Sequence, residues 1–341
     1  MLTFVLTTGP MQRIFHAWKR LIAVLAIALL STGCAAGHLP SLEHNPWSLV
    51  PLPTQNSLLD ISFTDNPNHG WLVGVESTLL ESNDGGNTWQ ARELLLGEQN
   101  YRLSSVDFAG DEGWVAGQPA ILLHTTDAGQ SWEQIPLSDK LPGAPQTVVA
   151  LGPQSAEMVT DLGAIYRTTD GGRNWKAMVS DAFGVFKSLN RSADGQYVAV
   201  SSRGNFFSVW NPEVSAWQPH NRNSSRRLQS MGFTPDGRLW MLARGGQIQF
   251  ANSTDPEDWQ PPKMPENLNS WGFLDLAYRT DREAWIVGGS ATLLVSFDGG
   301  QSWQQDRQLE DVPSNFYKIK FLDASRGFVL GQRGTLLRYT G

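Results

Sequence analysis

The sequence predicts an all-β protein, a seven-bladed β-propeller with about four antiparallel strands per blade. Three observations carry this expectation: a recurring turn motif, a recurring Trp, and a recurring short apolar strand, all at one interval. The anchoring residues are Trp89, Trp132, Trp175, Trp217, Trp259 and Trp303, at spacings of 43, 43, 42, 42 and 44. One step of 42 back from Trp89 reaches Trp47, and one step forward from Trp303 overruns Gly341. Seven units of this length, each holding about four strands, are the signature of a propeller. One blade is then shared between the ends of the chain. Its first strand comes from residues 47–52 and its last three from residues 315–339. That sharing closes the ring and leaves no open sheet edge. A pair of β-sandwiches would not give seven equal offsets.

The turn motif explains itself chemically. Ser82-Asn83-Asp84-Gly85-Gly86-Asn87-Thr88-Trp89 recurs around Asp127, Asp170 and Asp298, each time ending in Trp. This is the Asp-box pattern. Its Asp can accept backbone N–H groups of its own turn, its Gly adopts positive φ at little cost, and its Trp opens the next strand. Degenerate copies precede Trp217 and Trp259.

The second strands are as regular. Gly70-Trp71-Leu72-Val73-Gly74 is echoed by Gly113-Trp114-Val115-Ala116-Gly117, by Ala284-Trp285-Ile286-Val287-Gly288 and by Gly327-Phe328-Val329-Leu330-Gly331. Tyr197–Ser201 and Leu239–Ala243 fill the same slot. A first strand with apolar alternation, such as Leu59-Asp60-Ile61-Ser62-Phe63, precedes each.

The amino-terminal residues read as an address. Arg13, Lys19 and Arg20 precede a ten-residue apolar run at 21–30, and small residues follow. Ten residues are too few to span a bilayer, so residues 1–33 are expected to be a signal peptide, with Met11 the start. The run ends Leu30-Ser31-Thr32-Gly33-Cys34, which resembles a bacterial lipobox with its Leu one place further from the Cys than usual. Cys34 is the only Cys, which excludes a disulfide framework and any multi-cysteine metal site. Its expected role is lipidation, with residues 34–46 as a tether and 47–341 as the propeller. Ordinary cleavage near Ala35-Ala36, or a retained anchor, is the alternative.

Charge is unevenly spread. Loss of three basic residues with the signal takes the net charge from −7 to −10, which argues against nucleic acid as a general partner. Residues 187–244 nevertheless hold eight basic and three acidic residues, a local +5 on a −15 remainder. Arg222, Arg226 and Arg227 precede a first strand, and Arg203 and Arg244 follow second strands. In a propeller those loops open on one face, opposite the Asp-boxes. The expectation is an arginine patch that docks a carboxylate-bearing protein surface, since the guanidinium fork is weakly hydrated and bidentate. A solvated basic face balancing an acidic body is the plainer alternative. Arg333 takes the corresponding place in the last blade. Arg191 falls inside a first strand, aligned with Phe63 and Phe233, where a charge needs a partner or a wet channel.

The lipoprotein-like signal, the seven degenerate Asp-box repeats and the stretch HNRNSSRRLQSMGFTPDGRLWMLARGG at 220–246 together resemble the photosystem II assembly and stability factor of cyanobacteria and chloroplasts. The resemblance covers the whole mature chain, and the Arg-rich stretch is its specific part. It implies a non-catalytic propeller on the lumenal side of the thylakoid membrane. Its implied partners are newly made D1, the D1 precursor and early reaction-centre complexes. It also implies that Arg203, Arg222, Arg226, Arg227 and Arg244 contact the client. Chlorophyll delivery goes with the family, but no pigment-ligand motif is visible, so no cofactor is expected.

Two other functions fit parts of the pattern. Sialidase-like glycosidases carry Asp-boxes, but they need an Arg triad, a Tyr nucleophile paired with Glu, and an acid/base carboxylate. Five of the Tyr residues fall in strand-like alternation, which favours packing, and such enzymes have six blades. A generic carbohydrate- or protein-binding propeller of the envelope shares both scaffold and anchor. No H-x-H or H-E-x-x-H spacing supports a metal site, and no helix follows the paired glycines to make a phosphate loop.

Overall fold

The computed structural model describes residues 39–222, 224–265, 272–309 and 311–341. The predicted signal at 1–33 and Cys34 lie outside the described residues. Seven antiparallel sheets follow one another along the chain, as the repeat predicts. Blades 1 to 6 are residues 58–91, 102–134, 145–177, 186–221, 228–250 and 273–305. Blade 7 joins Phe316–Asp323, Arg326–Gly331 and Leu336–Tyr339 to Trp47–Leu49. Trp47 pairs with Tyr339 and Leu49 with Leu337, so the amino-terminal strand is the outermost of the closing blade.

Packing between blades explains why Trp marks the repeat. The central residues of every second strand are buried. In blades 1, 2 and 6 the strand's aromatic meets the anchoring Trp of the following blade edge to face. Trp71 meets Trp132 at 5.7 Å, Trp114 meets Trp175 at 5.9 Å, and Trp285 meets Trp47 at 5.4 Å. Such pairs add about 0.5–1.5 kcal/mol each beyond the area they bury. Gly129 shows why the turn needs its second glycine. Its φ is 89°, and a Cβ there would lie 2.4 Å from the Trp71 ring.

The first strands line the axis. In all seven, one residue slips out of register with the second strand: Leu59, Ser104, Gln146, Lys187, Gln229, Leu274 and Tyr317. A bulge bends and twists a strand, and these seven residues all line the central cavity of about 680 Å³. Neighbouring first strands lie side by side, but those of blades 3 and 4 make the least contact with one another.

Blade 5 departs from the pattern. It has three full strands, and its outer edge is reduced to isolated bridges, Ala251 with Trp259 and Ile248 with Lys263. Pro261 and Pro262 intervene and carry no N–H for a ladder. Blade 6 gains an extra edge instead. Ser41 bridges Gln305 in parallel fashion, and Leu42 packs against the core between blades 6 and 7.

Candidate docking face

The five arginines come from two adjacent blades and one side. Arg203 lies in the turn between Tyr197–Ser201 and Phe206–Trp210, and Arg244 in the turn between Leu239–Ala243 and Gln247–Phe250. Arg222, Arg226 and Arg227 lie in the connection from Asn221 to Leu228. Backbone bonds tie these loops together. Leu228 N–H donates to the Gly204 carbonyl at 2.8 Å, and Arg244 N–H to that of Arg227 at 2.9 Å. Around the ring the turn after each second strand meets the entry to the next blade in this way, as Gly334 N–H with Asn56 and Ser77 N–H with Tyr101. The Asp-box turns instead bond the turns between first and second strands, as Gly85 N–H with Asn68 and Gly299 N–H with Arg282. The five arginines and the Asp-boxes therefore occupy opposite faces.

Within the cluster the side chains support one another. Arg222 Nη1 donates to the Arg226 carbonyl at 2.8 Å, and Arg226 Nη1 to the Arg244 carbonyl at 3.3 Å. Arg222 is half-buried, and burial pushes its guanidinium below the usual value. The other four are exposed. Among the described residues no carboxylate forms an ion pair with any of the five. Lys187 belongs here too. Its Nζ donates to Gln229 Oε1 at 3.1 Å, and burial, then the charges of Arg244 and Arg227, push it down. Sequence reasoning counted Lys187 in the basic segment but did not place it in the patch. Its bulge position at the cavity mouth is what brings it there. Arg333 sits in the equivalent turn of blade 7 and is not joined to this cluster.

Arg191 has found a partner rather than open water. Its Nε lies 2.9 Å from Glu157 Oε2, across the interface where the first strands of blades 3 and 4 diverge. Glu157 is fully buried and also binds Arg167 and the Tyr197 hydroxyl. Burial alone would raise this carboxyl, but Arg167, Arg191 and Tyr197 hold it below the usual range.

Tyr197 with Glu157, Arg167 and Arg191 matches only part of a sialidase centre, which needs three arginines and an acid/base carboxylate besides the Tyr–Glu pair. Its ring is fully buried in a second strand. Burial, then the Glu157 charge, raise its hydroxyl far above the usual value, the reverse of what activates a nucleophile.

The cavity wall is a chain of ties between blades. Lys318 Nζ of blade 7 donates to Asp60 Oδ1 of blade 1 at 2.7 Å. Asp60 Oδ2 accepts from Ser105 Oγ and Val106 N–H of blade 2, both at 3.2 Å. Lys320 Nζ lies 3.8 Å from Asp60 and donates to the Ile61 carbonyl. Burial raises Asp60, and the two lysines more than reverse that. Asp275 is different: burial pushes it up to about 6, although Ile319 N–H and Lys318 oppose the rise. These charges occupy the polar places in the alternation of the first strands, so nothing in the sequence marked their pairing across a closed ring. Among the described residues, no group of His, Cys, Asp and Glu could hold a metal ion.

Comparison with known proteins agrees with this architecture. The family model described as photosynthesis system II assembly factor YCF48 matches residues 39–340. The photosystem II assembly lipoprotein Ycf48 of Trichormus variabilis is 59% identical over 326 residues, covering 96% of this chain and 95% of the relative. The photosystem II assembly protein Ycf48 of Thermosynechococcus vestitus is 59% identical over 316 residues, covering 93% and 90%. A solved structure described as YCF48 bound to D1 peptide superposes with a TM-score of 0.86 at 55% identity, covering 89% of this chain and all of that one. YCF48 from Cyanidioschyzon merolae superposes at 0.79 with 41% identity, covering 86% and 98%. The chain belongs to the Ycf48 family of photosystem II assembly factors.

Proposed function

We propose that this member of the photosystem II assembly factor family acts without catalysis, by holding newly made D1 and its precursor on the lumenal side of the thylakoid membrane. The contact surface is the face formed by Arg203, Arg222, Arg226, Arg227 and Arg244, with Lys187 at its inner edge. The observation that carries this reading is a cluster of guanidinium groups, joined by backbone contacts, with no carboxylate partner among the described residues. Five unpaired cations side by side repel one another, and an acidic or carboxylate-bearing segment relieves that repulsion through charge-assisted bonds. The solved relative described as bound to D1 peptide names such a client.

Lipidation of Cys34 would confine this face near membrane-inserted clients and raise the effective concentration without new contacts. Two acyl signals give stable attachment where one chain gives marginal binding. The related proteins named as lipoproteins support the anchor.

The test is titration of a D1 lumenal or carboxy-terminal peptide into the wild-type chain and into the double variant Arg226→Glu, Arg227→Glu. Loss of binding with an unchanged thermal midpoint supports the reading. Unchanged affinity moves the site elsewhere. Binding of a glycan or an unrelated envelope protein through the same arginines would favour the generic propeller.

A further inference from the structure

The seven bulge residues form one ring. Each is the second or third residue of its first strand, and the connections that carry the arginines lead directly into those strands. The ring therefore marks the mouth of the central cavity on the arginine face. Around it the chemistry divides into two unbroken arcs. Blades 6, 7 and 1 contribute Leu274, Tyr317 and Leu59, and blades 2 to 5 contribute Ser104, Gln146, Lys187 and Gln229. The polar arc is tied together from blade to blade. Ser104 Oγ donates to the Gln146 carbonyl at 2.7 Å, and Lys187 Nζ to Gln229 Oε1 at 3.1 Å.

The apolar arc has left the core. Leu58, Phe273 and Phe316 are fully buried, whereas Leu59, Leu274 and Tyr317, which follow them, are half-buried. The slip in register carries each of the three from the packed wall to the cavity. Apolar groups with a few convergent polar ones, around a space of about 680 Å³, are what binding pockets are made of. Two cations complete the mouth. Lys187 stands in the polar arc, and Arg102 opens the first strand of blade 2. Both are exposed, and among the described residues neither forms an ion pair with a carboxylate. Arg102 lies close to the apolar arc: burial pushes the Tyr317 hydroxyl up to about 12, and the charge of Arg102 is among the influences that oppose the rise.

We propose that this mouth is a subsite for the free carboxy-terminal residue of an extended chain, its carboxylate facing Lys187 and Arg102 and its side chain, an apolar one, lying against Leu59, Leu274 and Tyr317. The inference rests on docking at the arginine face, which the ring adjoins, since Gln229 lies two residues beyond Arg227. One chain can lie across the arginines and end in the ring. The two arcs favour a chain end over an internal acidic residue. A terminal residue carries its carboxylate and its side chain on one Cα, pointing apart, and so meets both arcs at once. An internal Asp or Glu meets the cations alone. Its chain must also turn back inside a ring closed by seven strands, with the second pass about 5 Å from the first. A terminal carboxylate gains charge-assisted bonds from both cations.

The experiment reads fluorescence anisotropy of a fluorescein-labelled octapeptide of glycine and serine, with two central aspartates and a terminal leucine, as the full chain is added. The same peptide amidated at its end, and one ending in serine, are the comparisons. The amide should bind roughly tenfold more weakly than the free acid, and the serine-ended peptide about fivefold more weakly. Arg102→Gln should remove most of the difference between acid and amide. Leu274→Ser should remove the preference for leucine. The double variant Arg226→Glu, Arg227→Glu should weaken acid and amide by the same factor. Equal binding of acid and amide overturns the subsite, while a charge reversal that still weakens both leaves the arginine face standing. A preference for the free acid that survives in both Arg102→Gln and Lys187→Met overturns its placement at the mouth. No binding of the free acid also overturns the subsite, and charge reversal read with the D1 peptide then decides the arginine face by itself.

Discussion

The guanidinium of Arg191 in blade 4 lies 2.9 Å from the buried carboxylate of Glu157 in blade 3. The pair closes the interface at which the two first strands touch least. Elsewhere the blades adhere through apolar clusters, edge-to-face Trp pairs and the ties around Asp60. Here a buried carboxylate holds three donors, Arg167, Arg191 and the Tyr197 hydroxyl. Arg191 is itself part of the basic segment at 187–244, so the same interface supports the edge of the arginine face.

Removal of the Glu157 charge should loosen that junction. Glu157→Gln leaves Arg191 without its counter-ion and Tyr197 with a weaker acceptor. Truncating one partner of a buried pair costs about 3–5 kcal/mol, and the partial exposure of both arginines brings the expectation to about 3 kcal/mol. Chemical denaturation should show a lower midpoint with an unchanged slope. A stability loss below about 1 kcal/mol would mean that apolar packing alone holds the interface.

The folded state should carry a penalty from Asp275 that grows with pH. Burial raises this carboxyl to about 6, above its unfolded value of about 3.9. Between those values the folded chain binds more protons than the unfolded chain. The contribution of Asp275 to stability therefore falls as pH rises through that window. At about 1.36 kcal/mol per pH unit, the change is on the order of 2–3 kcal/mol. Asp275→Asn removes the titration but disturbs the N–H bonds from Leu276 and Ile319. The diagnostic is thus the difference between the two proteins. Thermal midpoints at pH 4 and pH 7 should show the variant gaining on the wild type as pH rises, and a constant gap would refute it.

Asp298 should show the opposite sign. Burial raises it, but Ser302, Ser296 and Gln301 donate to it and bring it down to about 2. A depressed carboxylate contributes stability above its unfolded value, and that is lost as pH falls from about 4 towards 2. Asp298→Ala should cost about 1–2 kcal/mol at neutral pH, after allowing for solvent around the turn. The cost should disappear in acid, as read by urea denaturation across pH.

Legibility from sequence followed the periodicity of the physics. Trp71 and Trp132 meet because one blade is one repeat away from the next, and a spacing near 43 shows that in one dimension. The opposite faces of Arg203 and Asp170 follow from strand alternation alone. The bulge at Lys187 did not show, because a single skipped residue leaves the apolar pattern readable in either register. The tie of Asp60 to Lys318 did not show either, since it joins the two ends of the chain only when the ring closes. The His–Glu contacts of blades 1 and 2 illustrate a subtler loss. His69 binds Glu81 at 2.7 Å, while one repeat later Glu112 binds His124 at 2.8 Å, with the two residue types exchanged. A search for recurring residues misses a contact that recurs with its ends reversed.

Lys187 separates a binding role from a structural one. Burial, Arg244 and Arg227 all depress its ammonium, so the charged form is less favoured in the folded chain than in the unfolded chain. Between the lowered folded value and 10.5 the unfolded chain binds more protons, and stability rises with pH across that window. The repulsion from Arg244 and Arg227 acts on its charged form. Lys187→Met should therefore leave the fold as stable or raise it by up to about 0.5 kcal/mol, a small figure because the side chain is exposed. The same variant should weaken binding of an acidic D1 peptide several-fold, and the gap from wild type should narrow as salt is raised. Isothermal titration at two salt concentrations, alongside thermal melts, reads both quantities. A destabilised protein with unchanged affinity would place Lys187 in the scaffold and outside the docking face.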